Sequence, residues 1–195
     1  MKNKLLLIAV MIFWFSPIVS KSESYNFSSS NYEDAKKADS YIKFDMASTK
    51  VGIFTSHFTG YVKKFSISGN KKNNFISDAI VEFDVKELDT DIDSRNEKMW
   101  DQCLDASHNP KIQIKLSQKI EIGGPRKDIA GVINVRGEDH PLTLSVEVNS
   151  DMIADIKGQV SIKDLKIPDP SIAIASVRDT IDISAHFIIK ENNQK

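Results

Sequence analysis

The residues of this chain that could do chemistry are four histidines, one cysteine and a dispersed set of carboxylates and cations. His57, His108, His140 and His186 lie far apart and show no ligand spacing. Cys103 has no second cysteine, so neither a metal site nor a disulfide is read from these residues. His140 precedes Pro141 in a turn-rich stretch and reads as surface. His57, between Phe54 and Phe58, is either an ordinary histidine at a strand end or a partner for the polar head of a ligand. Arg95 and Asp105 flank one short segment. The guanidinium either fastens that segment through a carboxylate or backbone carbonyls, or positions a charged head group. Asp89 and Thr90 read as turn formers. The sequence holds no nucleophile elbow, phosphate loop or HExxH helix, and its carboxylates sit on wet strand faces, so no enzyme is read from it and no cofactor is required. With 26 Lys and Arg against 27 Asp and Glu, it lacks the basic excess that nucleic-acid binding needs.

The elements that must position these residues are mostly strands. Ile42, Phe44 and Met46 alternate with Lys43 and Asp45, and the two-residue period returns in Val81, Phe83 and Val85 and in Ile112, Ile114 and Leu116. It recurs in Ile129, Ile133 and Val135, in Leu142 to Val148, and in Ile181, Ile183, Ala185, Phe187 and Ile189. Turn signals separate the runs at Gly60, Gly69-Asn70, Gly123-Gly124-Pro125, Gly137-Glu138-Asp139, Asn149-Ser150-Asp151 and Pro168-Asp169-Pro170. About eight strands with one apolar face must curl to cover that face. The segment Asp93 to Asp105 instead places Met99, Trp100, Cys103 and Leu104 at spacings of three and four, with Asp93 and Ser94 available as caps. It predicts one short helix over a barrel opening or along the wall, with Cys103 a buried, inert thiol.

The ends of the chain have a different character. Lys2, Lys4 and the apolar run Leu5 to Phe15 predict a signal peptide over residues 1–20, cut after Ser20 or Ser22. Its loss moves the formal charge from −1 to −3, leaves no stable membrane span, and implies a periplasmic protein or, as second choice, a secreted one. Residues 21–40, rich in Ser, Asn and charge, read as a polar leader or linker. The domain is expected over 41–190, followed by a tail at 191–195.

In order and spacing, four blocks of the chain resemble the YceI-like family of exported, lipocalin-like polyisoprenoid-binding proteins. They are Thr49 to Gly69; Val81 to Ile114, with Leu88-Asp89-Thr90, Arg95, Leu104-Asp105 and Asn109-Pro110-Lys111-Ile112; Ala130 to Val146; and Gly158 to Ile183. Asn96 departs from the pattern where an acid is usual, as do Asp91, Cys103, Ile114, Arg136 and Leu165-Lys166-Ile167. The resemblance implies an all-β fold: a single eight-stranded antiparallel lipocalin-like β-barrel with one short α-helix between strands. It also implies a hydrophobic small-molecule partner, a polyprenyl or isoprenoid-quinone tail, held in the lumen.

The lumen candidates are Phe44, Phe54, His57, Phe83, Val85, Ile112, Ile114, Ile133, Leu144, Val146, Ile183 and Phe187, with Arg95 at the rim. Alternation alone does not distinguish a tunnel from a filled core. Two readings therefore stand beside the lipid carrier. One is a ligand-free structural or interaction module of the envelope; the other is an enzyme that borrows a bound quinone. A homodimer is left open.

Overall fold

The computed structural model describes residues 21–50, 53–171 and 175–189. The expected signal peptide and the tail at 191–195 lie outside them. Among the described residues the chain forms β1 (Lys21–Ser28), α1 (Tyr32–Lys37), β2 (Tyr41–Lys50), β3 (Phe54–Val62), β4 (Lys64–Lys72), β5 (Phe75–Asp84), β6 (Leu88–Asp89) and α2 (Asp93–Glu97). It continues with β7 (Lys111–Leu116), β8 (Ile120–Glu121), β9 (Lys127–Val135), β10 (Glu138–Val148), β11 (Ile153–Ser161), β12 (Ala175–Val177) and β13 (Thr180–Ile188).

The strands make one antiparallel, curled sheet in the order β1-β4-β5-β7-β9-β10-β11-β13-β2-β3-β6, with β8 on β5 and β12 on β2. Its far parts are joined by chain continuity, because β3 pairs with β2 and then runs through Lys63 into β4. The all-β expectation holds, but the count is thirteen strands rather than eight. Lys63 divides one long run into β3 and β4, the 3-10 turn Val85–Glu87 divides another into β5 and β6, and β1, β8 and β12 are additions that strict alternation did not mark.

Residues 21–40 are not a loose leader. Tyr25 and Phe27 alternate with polar residues along β1, which pairs in register with β4 over its whole length. Asn31 then caps α1, its side chain accepting from the Asp34 N–H at 3.0 Å, and the Tyr32 hydroxyl donates to the Thr59 carbonyl at 3.2 Å. The Ser- and Asn-rich composition hid both an edge strand and a capped helix.

The core is the inner face of the sheet. Val85, Val135 and Val148 are almost wholly buried there, each stabilising the fold by roughly 1.5–3 kcal/mol. Between β9 and β10 the chain reverses through Arg136 and Gly137, both at positive φ, so Val135 faces Glu138 in a two-residue turn. That register points His140 inward opposite Ile133, where it is 6% exposed, contrary to the surface position expected beside a proline. Gly60 and Gly69, expected in turns, lie inside β3 and β4, with an irregular register between Ser68 and Asn70 at the latter. No helix among the described residues is long and apolar enough to cross a membrane.

Candidate ligand-binding site

The helical segment after β6 begins as expected at Asp93 but continues as a π-helical turn over Lys98–Cys103. Ile92 is its N-cap, and its side chain offers no acceptor to the helix N–H groups, so neither Asp93 nor Ser94 caps it. The segment is fastened in three places. The Trp100 Nε1–H donates to the Leu88 carbonyl at 2.8 Å, Lys98 Nζ donates to the Pro170 carbonyl at 2.6 Å, and Arg136 Nη1 donates to the Cys103 carbonyl at 2.8 Å. Met99, Cys103 and Leu104 turn toward the lumen. The loop carrying Ile162, Leu165, Ile167 and Pro170 meets them, so helix and loop together border one end of an apolar cavity of about 350 Å³.

The walls of that cavity come from alternate residues of the strands: Ile42, Phe44 and Met46 of β2, Phe58 of β3, Phe83 of β5, Ile112 and Ile114 of β7, Ile133 and Val135 of β9, and Ile181 and Ile183 of β13. Phe44 reaches across to β3, where its ring covers Gly60. A Cβ at Gly60 would overlap the ring, so this glycine makes room for an aromatic side chain rather than for a turn.

Polar chemistry enters at one edge. Arg95 Nε donates to Thr90 Oγ1 at 2.8 Å, Nη2 donates to the Thr90 carbonyl at 2.5 Å, and the guanidinium lies over the Phe58 ring at 4.2 Å from its centroid. Among the described residues no carboxylate pairs with it, and Nη1 makes no hydrogen bond. Burial lowers its pKa from the ordinary value, but an arginine remains charged. Thr90 is 2% exposed and is held by Asn96, so it belongs to a buried polar cluster rather than to a simple turn. Asp89 joins the cluster through the Asn96 amide at 2.9 Å and through Lys63 at 3.6 Å. Asp105, at the far end of the helical segment, pairs instead with His108 at 2.8 Å.

Of the residues expected in the lumen, Phe44, Phe83, Ile112, Ile114, Ile133 and Ile183 line this cavity, with Arg95 at its edge. Val146 and Phe187 line a separate, smaller cavity, whereas Val85 and Leu144 are packed into the core and border neither. Two expectations are corrected. Phe54 has lumen parity but stands at the outer end of β3, 72% exposed, past the strands that would cover it. His57 is on the opposite parity from Phe58 and is exposed on the outer face. Sequence reasoning missed Phe58, whose inward parity follows from its pairing with Met46, and missed Leu165 and Ile167, which lie in irregular chain without a period to reveal them.

Over residues 34–189 the chain matches the sequence profile of the YceI-like domain. The chain belongs to the YceI-like family. Several solved structures share the fold at low identity. A polyisoprenoid binding domain from Saccharophagus degradans superposes with a TM-score of 0.55 at 14% identity, covering 77% of this chain and 93% of the other. Burkholderia cenocepacia BcnA gives 0.56 at 18%, with 76% and 96% covered, and the Campylobacter jejuni YCEI protein gives 0.53 at 14%, with 70% and 87% covered. Among curated proteins none matches this chain. The YceI-like domain match begins at Asp34, inside α1, so β1 lies outside the matched region.

Proposed function

We propose that this YceI-like protein binds the apolar tail of an isoprenoid-type lipid, a polyprenyl or isoprenoid-quinone chain, in the larger cavity, and serves as an exported carrier or sequestering protein in the periplasm. The observation that carries the reading is the pairing of an apolar cavity of about 350 Å³ with a part-buried guanidinium at its edge that, among the described residues, forms no salt bridge. An apolar chain entering such a cavity gains ~25 cal/mol per Å² of surface removed from water, and needs no catalytic group to do so. The guanidinium offers a charge-assisted donor to a diphosphate or to a quinone oxygen. The polyisoprenoid binding domain of Saccharophagus degradans, similar in fold, supports the same ligand class. Export rests on the signal-peptide pattern of residues 1–20.

The deciding experiment is native mass spectrometry of the protein purified from its own envelope fraction, followed by denaturation to weigh whatever is released. A released mass built on isoprene units is expected. An apo mass that persists after incubation with polyprenyl and quinone lipids would overturn the reading in favour of a module that works through its surface.

A further inference from the structure

Among the described residues, the two most exposed large apolar side chains are neighbours, Ile53 at 77% and Phe54 at 72%. They stand at the tip of the β2–β3 hairpin, where the Ile53 N–H donates to the Lys50 carbonyl at 3.1 Å and Phe54 pairs with Lys50. This tip adjoins the larger cavity. Lys50 borders the cavity, as do Ser48 and Ser56, the next pair of the same parity on the two strands. Strand pairing puts the tip at the end of the barrel that the helical segment and the loop also border: Val177 faces Ser48, Thr180 faces Ser161, and the loop departs from Ser161. Charge at the cavity has one sign. The charged residues bordering it are Lys43, Lys50, Arg95 and Lys98, with no carboxylate among the described residues. Lys43 is paired with Asp45 at 3.2 Å, whereas Lys50, Arg95 and Lys98 make no salt bridge among the described residues. The hairpin from Met46 to Val62 holds no Asp or Glu.

We infer that the β2–β3 tip is a docking surface for an anionic lipid bilayer. Ile53 and Phe54 enter the interfacial layer, Lys50 meets the head groups, and the border of the cavity is brought to the membrane from which an apolar cargo is drawn. Exposed apolar side chains beside cations fit a lipid surface, because the head-group layer buries the former and anionic lipids attract the latter. A docked tip also spares the cargo a passage through water, since a tail leaving the bilayer would otherwise expose its apolar surface before reaching the cavity. The inference rests on the carrier reading for its choice of partner, and the two fail separately in the experiment.

The test is flotation of the protein, purified from its envelope fraction, with vesicles of equal parts phosphatidylethanolamine and phosphatidylglycerol and with vesicles of phosphatidylcholine alone. Calorimetric titration with farnesol and a short-tailed isoprenoid quinone runs on the same preparations. The protein is expected to float with the anionic vesicles and less with phosphatidylcholine. The double variant Ile53→Ser, Phe54→Ser changes two exposed positions that border neither cavity, so it keeps the fold and the affinity for farnesol or the quinone. Its partition onto the anionic vesicles is expected to fall about tenfold or more, with Phe54→Ser alone moving in the same direction. Absence of flotation, equal flotation on the two vesicle types, or a folded double variant that floats as well as the wild type would overturn the inference, and the carrier reading stands if farnesol or the quinone binds. Flotation that depends on the tip, with neither farnesol nor the quinone bound, supports the docking surface and rejects the carrier. Absence of flotation together with dimerisation that the double variant abolishes would overturn the inference in favour of a second copy of this chain.

Discussion

Asn96 Oδ1 accepts two hydrogen bonds from Thr90, 2.9 Å from its N–H and 2.6 Å from its hydroxyl, while Asn96 Nδ2 donates to Asp89 Oδ1 at 2.9 Å. The amide thus satisfies donors on one side and a carboxylate on the other, at a site 3% exposed. An acid at this position could accept from Thr90 but could not donate to Asp89. Asn96→Asp is therefore expected to destabilise the fold by about 2–4 kcal/mol at pH 7, with the cost shrinking as the pair becomes able to hold a proton at lower pH. Urea denaturation at pH 7 and pH 5 measures it. An equal cost at both values would mean that the two carboxylates do not interact.

The acid limb of stability should also depend on Asp89. Burial alone would raise its pKa, but the Asp91 N–H, the Asn96 amide and the Lys63 ammonium outweigh that and hold it below the ordinary carboxylate value. A carboxyl depressed in the folded state stabilises above its unfolded pKa of about 3.9, and that contribution is lost as pH falls through the folded value. The stability gap between the wild type and Asp89→Asn is expected to be full at neutral pH and to close below about pH 4. Urea midpoints taken across that span check it.

The contact of Phe44 with Gly60 couples packing to the cavity. Gly60→Val is expected to cost about 1–3 kcal/mol, because the ring must leave its place over the glycine, and to weaken apolar-ligand binding as the displaced ring takes up cavity space. Combining Gly60→Val with Phe44→Leu should recover part of the loss. Additivity of the two changes in a double-mutant cycle would show that ring and glycine are energetically independent.

Cys103 reports on the site. It borders the larger cavity, it is buried, and burial pushes its thiol pKa up. Maleimide labelling at neutral pH is expected to run about tenfold or more slower than in the urea-unfolded chain, and slower again with a chain-like ligand bound. Mass spectrometry of labelling time courses measures both rates. Rapid labelling of the folded protein that ligand does not alter would place the thiol outside the site.

Much of this architecture was legible in the residues, because strand periodicity is a local property. Alternation from Ile42 to Met46, from Ile112 to Leu116 and from Leu142 to Val148 identified inward faces that the structure confirms, and spacings of three and four marked the helical turn at Met99 to Leu104. The sequence by itself determined the all-β class, the apolar inner face and the placing of Arg95 on the helical segment. Tertiary structure decided the rest, since the same parity can face a cavity, a packed layer or water according to what lies across from it. Leu144 packs over Gly158, Phe54 of lumen parity projects into solvent, and His140 turns inward because the Arg136-Gly137 turn sets its register. Only the closure of β1 against β4 brings Phe27 over Phe65, a stacking that alternation alone could not describe.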